Sequence, residues 1–208
     1  SVCKVGFWVG LVGVAVPVRD HGGHWRAGGK GGLTDRMAGV RADFYSFVTE
    51  VRNGHGGIRL KLLVHSMGGS IALSYAMGHF DKLSGLILSG PAVGGLVPPL
   101  QQMILRAISA VAPTMGTLML PPETISLEPA VVAAYVSDPL VTVGKVPART
   151  AAELVAAASS FPALVPSICL PILIQHGAQD LPVPPAGNRA AHDPVGTPGK
   201  TNRSYQGL

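Results

Sequence analysis

Four short apolar runs punctuate the chain: Gly13–Val18 (GVAVPV), Leu60–Val64 (LKLLV), Leu83–Gly90 (LSGLILSG) and Leu170–Gly177 (LPILIQHG). None keeps a strict apolar–polar alternation, and near-continuous runs of this length predict strands buried on both faces. Between the first two, Met37, Val40, Phe44, Phe47, Val48 and Val51 recur at helical spacing. Strand and helix therefore alternate, which predicts an α/β fold with a mostly parallel sheet flanked by helices. From Gly94 to Pro166 the pattern changes to long, apolar, proline-punctuated segments without a strand-like core run. These predict short helices inserted between two sheet strands as a lid. The expected division is a core over 1–93, the lid over 94–166 and the rest of the core over 167–208. In the tail, Pro182, Pro184, Pro185, Pro194 and Pro198 leave no room for a good helix.

Composition narrows the picture only a little. Of 208 residues 47% are hydrophobic and 13% charged, enough for one globular core and too apolar for a disordered chain. The net charge is +5, but Lys and Arg are scattered, with no basic run and no aromatic interleaving, so nucleic acid is not the expected partner. The run Val5–Val18 is 14 residues long, short of the roughly 20 that span a bilayer. It reads as a helix end running into a core strand, and the chain as soluble and cytoplasmic. Cys3 and Cys169 match no metal spacing, so neither a metal, a cofactor nor a disulfide is expected.

The candidate chemistry sits where the second strand ends. In "LVHSMGGSIA" an apolar strand reaches Ser66, and Gly68, Gly69 and a helix-forming segment follow. At such a corner a serine Oγ projects clear of the sheet, and the next backbone N–H, that of Met67, points at a developing oxyanion. Small neighbours are needed because helix and strand come very close. Val64 breaks the usual G-x-S-x-G pattern at its first glycine, and its methyls are expected to push Ser66 out of aim. A serine needs a base, and the base an orienting acid. Asp180, three residues beyond Gly177 at the end of the last apolar strand, fits the acid.

Taken together, these segments resemble the monoacylglycerol lipase branch of the α/β-hydrolases, also labelled lysophospholipase or serine aminopeptidase-like. The likeness rests on Arg19–Gly29, "HSMGGSIALSYA", Leu86–Val93, Ala133–Val141 and "HGAQD". It implies a serine esterase acting on monoacylglycerol-like lipid esters through an acyl-enzyme, with Ser66 as nucleophile and Asp180 as acid. It also implies an apolar lid that takes up the acyl chain and makes peripheral contact with lipid surfaces.

The departures from the family are specific. Its base is a histidine on the loop after the last core strand, and "SYQGL" resembles the lead-in to that loop without reaching a histidine. His192 alone follows Asp180 and is a weak substitute, while His176 reads as part of the strand end. "HGG" (His21–Gly23) resembles an oxyanion loop, but its spacing to Ser66 suits the family's D-x-R-G-H-G segment better. There Gly22, Trp25 and Ala27 replace the arginine, second glycine and serine. Outer strands are expected to be missing at both ends. On this basis an impaired serine hydrolase competes with a non-catalytic remnant, a pseudoenzyme or lipid-binding module. A serine at the corner excludes the aspartate-nucleophile enzymes of the same fold.

Overall fold

The structure is a computed structural model that describes residues 9–11, 13–24, 26–29, 31–94, 97–185, 187 and 192–207. Cys3, residues 5–8 and 12 of the Val5–Val18 run and Trp25 lie outside them. The first long helix among the described residues is amphipathic, α1 (Met37–Gly54), burying Met37, Val40, Phe44, Val48 and Val51 as its periodicity requires. The order continues as β1 (Lys61–His65), α2 (Met67–His79) and β2 (Gly85–Ser89). Next come α3 (Pro99–Val111), β3 (Gly116–Met119), α4 (Pro129–Ser137), β4 (Lys145–Pro147) and α5 (Ala148–Leu164). β5 (Ile172–Gly177) and β6 (Lys200–Tyr205) complete it.

The main sheet is wholly parallel, in the order β1-β2-β5-β6. All four strands therefore end at one edge, the edge at which open α/β sheets hold their ligands. Two registers decide what each face carries. Leu62, Leu86 and Ile172 lie side by side, as do Val64, Leu88 and Ile174. Five of these six are buried, in one core with Val40, Phe44 and Val48 of α1, Ile71 and Tyr75 of α2, and Phe161 of α5. The opposite face carries the row Leu63–Ile87–Leu173, and Leu63 keeps 40% exposure.

Two expectations are corrected, and one strand was not foreseen. Gly13–Val18 is not a strand: Val14, Val16 and Val18 stand exposed in irregular backbone. Apolar β-branched residues make a strand only where a neighbouring backbone completes the ladder, and Pro17 removes one donor. The lid region does contain strands, since β3 and β4 form a small antiparallel pair. They are short and mostly exposed, so no apolar run announces them. Finally, β6 pairs along its full length with β5 although its sequence, KTNRSY, is polar. It is an edge strand exposed on both faces, so burial imposes no pattern on it.

Besides the packing of α5 in the core, side-chain hydrogen bonds tie the insertion to the start of α1. Thr150 Oγ1 accepts from the Thr34 N–H at 2.8 Å and donates to the Gly32 carbonyl at 2.9 Å. Glu153 Oε2 accepts from the Met37 N–H at 2.7 Å. This carboxylate caps α1, whose own N-cap residue, Arg36, contributes no side-chain bond. No described helix is long and apolar enough to cross a membrane.

Candidate active site

Ser66 occupies the single residue between β1 and α2. Its backbone is at φ 52° and ψ −121°, and it is the one non-glycine residue of positive φ among those described. Such a conformation costs about 1–3 kcal/mol and persists only where the surroundings enforce it. The enforcement is visible. The Ser66 N–H donates to the Ser89 carbonyl at 3.0 Å, and its own carbonyl accepts from Gly69 at 2.9 Å and Ala92 at 3.0 Å. Ser70 Oγ closes the clamp by donating to the Ala92 carbonyl. Gly69 admits the chain at Pro91, and no other residue would fit there: a Cβ on Gly69 would lie 2.4 Å from the Pro91 Cβ.

Val64 fits beside this corner. A Cβ placed on Gly68 would sit 3.5 Å from the Val64 Cβ, an ordinary contact. The valine thus fills space beside a glycine and joins the edge of the core, while Ser66 keeps its left-handed backbone. Met67 opens α2, so its N–H has no intrahelical acceptor and stands at the positive end of the helix.

Asp180 reaches the same sheet edge from the loop after β5. Its Oδ1 accepts from the Val183 N–H at 2.9 Å, and its Oδ2 lies 3.1 Å from His176 Nε2. His176 is buried and its Nε2 is also 2.7 Å from the Val183 carbonyl, which can only accept. Nε2 therefore carries the proton, and the ring holds the loop and the carboxylate together. Gly90, at φ 47°, separates Asp180 from the elbow: the position of its absent Cβ is 3.2 Å from Asp180 Oδ2 and 3.5 Å from His65 Cε1. Asp180 and the His65 ring thus each border Gly90, beside the end of β2. β6 ends beside this loop, the Ala178 N–H donating to the Tyr205 carbonyl at 2.9 Å.

His192 is elsewhere. Its Nδ1 is 3.1 Å from Asp193 Oδ1, and the Asp193 and Val195 carbonyls accept from Lys200 Nζ at the start of β6. That is the beginning of the strands, while Ser66 and Asp180 lie at their ends. The segment His21–Gly29 forms a tight turn, with the Gly23 N–H on the Gly28 carbonyl at 2.9 Å. His21 stacks on Phe44 of α1 at 5.8 Å, and burial, aided by His24, lowers its pKa. Sequence reasoning did not consider His65, which the structure sets directly before Ser66 with its Nδ1 2.9 Å from the Ser89 carbonyl. It fills a variable place in the motif, and only its position directly before the serine could have singled it out.

A strand–serine–helix corner with an acid at the neighbouring strand end is a hydrolase arrangement, and comparison with known proteins agrees. The profile described as serine aminopeptidase, S33, matches residues 4–208. The chain belongs to the serine aminopeptidase S33 family. Within that family it is similar to the monoacylglycerol lipase of Mycolicibacterium smegmatis, 34% identical over 96% of this chain and 72% of that protein. It is also similar to the monoglyceride lipase homolog of Monkeypox virus, 28% identical over 83% of this chain and 63% of the viral protein. The crystal structure of Paleococcus ferrophilus monoacylglycerol lipase superimposes with a TM-score of 0.79 at 25% identity, covering 90% of this chain and 72% of that one. The chain thus has the α/β-hydrolase fold and spans 63–72% of the length of these relatives.

Proposed function

We propose that the protein is a serine ester hydrolase of the monoacylglycerol lipase type. The observation that carries the proposal is the left-handed backbone of Ser66 at the junction of β1 and α2, stored strain that a purely structural turn has no use for. Ser66 Oγ attacks the ester carbonyl, the Met67 N–H receives the oxyanion, and collapse expels the alcohol to leave an acyl-serine that water then cleaves. Asp180 orients the imidazole base that takes the Oγ proton during attack and passes it to the departing alcohol, and its charge stabilises the imidazolium. The names of the relatives support a monoacylglycerol as substrate.

The insertion over 94–166 serves as the lid. Leu100, Met103 and Ile104 recur on one side of α3 and are 50–63% exposed, and Val111 is 85% exposed. An amphipathic helix of this kind takes up acyl chains and rests on lipid surfaces.

Two measurements on the purified chain test the reading. Intact-mass analysis after fluorophosphonate treatment is expected to show one adduct, absent from Ser66→Ala. Glycerol release from a monoacylglycerol is expected to disappear in the same variant. A folded chain that takes no adduct and releases no glycerol is a lipase in shape only.

A further inference from the structure

We propose that Tyr45 is a second covalently reactive site, a surface phenol activated by Lys82 that takes the sulfonyl group of arylsulfonyl electrophiles. The inference is independent of the hydrolase reading. α2 runs 13 residues from Met67 to His79, about 20 Å of helix at 1.5 Å per residue, and Tyr45 meets it at the far end from Ser66. There the turn Phe80–Lys82 leads into β2, and the Ser84 N–H donates to the Leu60 carbonyl where the strands begin.

The geometry is that of a held cation on an open phenol. Lys82 Nζ donates to Tyr45 Oη at 2.8 Å and stands 4.0 Å from the centre of its ring. Arg52, seven residues further along α1, donates from Nη1 to the Lys82 carbonyl at 2.9 Å. The helix that carries Tyr45 thus also fixes the backbone that presents the lysine. The His79 ring stands edge-on to Tyr45 at 5.0 Å and stacks on Tyr75 at 4.8 Å, closing one flank. Even so, Tyr45 keeps 38% of its surface exposed. A fixed positive charge in contact with the oxygen favours phenolate, the nucleophilic form. The hydrogen bond and charge of Lys82 hold the phenol below its ordinary range, with Asp81 working against them.

The step balances. The phenol proton passes to water, and an Oη lone pair forms the bond to sulfur. The sulfur–fluoride bond breaks with its electron pair, and fluoride leaves. Lys82 keeps its protons throughout and holds the phenolate charge until it is spent.

Tyr205 is the comparator within the chain, because it is also 38% exposed. The test treats the whole chain with p-toluenesulfonyl fluoride and follows each tyrosine by peptide mass spectrometry, a label on Ser66 being mapped apart. A unit charge about 4 Å away in water favours the phenolate roughly fivefold, and a stabler anion gives back part of that gain in nucleophilicity. Tyr45 is therefore expected to react about 2–5-fold faster than Tyr205 at pH 8, with its rate rising at lower pH than that of Tyr205. Lys82→Gln keeps a donor without the charge and is expected to abolish the advantage, while Lys82→Arg retains it. High salt is expected to shrink it, since the pair is open to solvent. Equal rates and coincident pH profiles in the wild type overturn the proposal. So does an advantage that survives Lys82→Gln, which makes Tyr45 merely accessible, and so does a label on Lys82 Nζ in place of Oη. Circular dichroism and an unchanged Tyr205 rate check the fold of each variant, and the wild-type pH profiles decide without them.

Discussion

Gly69 lies against Pro91 so closely that the first carbon of any side chain would fall 2.4 Å from the proline Cβ and 2.8 Å from its Cα. Pro91 is itself fully buried and rigid, so neither side can yield. Gly69→Ala is therefore expected to force α2 away from the strand ends. The expected outcome is a loss of stability of about 1–3 kcal/mol, the cost of overpacking a close contact. Labelling at Ser66 falls with it, because the Ala92 clamp on the Ser66 carbonyl opens. Chemical denaturation and labelling on one sample check both.

Restoring the family glycine is expected to harm rather than help. Val64 is a strand residue partly buried against the core, and Ser66 already holds its strained backbone beside it. Val64→Gly is expected to lower stability by about 1–2 kcal/mol, from lost burial and added chain entropy, without raising the labelling rate. An increase in rate would show that the valine does disturb the nucleophile.

The carboxylate of Glu153 on the Met37 N–H predicts a capping effect transmitted between distant segments. Glu153→Gln keeps an oxygen acceptor but loses the charge at the positive helix end; Glu153→Ala loses both. Expected losses are about 0.5–1 kcal/mol for the first and about 1–2 kcal/mol for the second. Urea titrations in low and high salt separate them, since only the charge component is screened.

Tyr75 carries a pH dependence. It is 1% exposed, stacked on His79 at 4.8 Å and edge-on to Phe44 at 5.2 Å, and its hydroxyl has no hydrogen-bond partner among the described residues. Burial pushes its pKa up to about 12, with the negative charges of Tyr45 and Asp81 adding to it. An unfolded tyrosine ionises near ~10, so the unfolded chain loses this proton first. The contribution is complete below about pH 10 and is lost as pH rises toward about 12. Tyr75→Phe is expected to remove that alkaline decline, and to match or exceed the wild-type melting temperature at pH 8, because it deletes an unsatisfied polar group. Melting curves between pH 8 and pH 11 decide it.

What the sequence revealed follows from how local each feature is. The elbow was legible because its demands are met within a few residues: a strand, a serine, two glycines and a helix. α1 was legible because burial of one stripe repeats Met37, Val40, Phe44, Val48 and Val51. β6 was not, since an edge strand exposed on both faces owes its form to β5 and leaves no trace in KTNRSY. Gly13–Val18 failed in the opposite sense, with strand-forming residues lacking a backbone to pair with. Asp180 was found from its loop. Its place beside Gly90, at the end of β2, depends on the pairing of β2 with β5, which no spacing along the chain expresses.

The junction of Thr34 and Met37 with Thr150 and Glu153 also sets an order of events during synthesis. The two sides are separated by 116 residues, so α1 and β1 leave the ribosome well before their tie exists. Until α5 is made, the first turn of α1 has uncapped N–H groups and frays. The elbow helix, which α1 and α5 both touch, stays loosely held for the same interval. Ser66 is thus translated early and locked late, so a nascent chain stalled before α5 would carry the strand–serine–helix motif without the fold that strains it into shape.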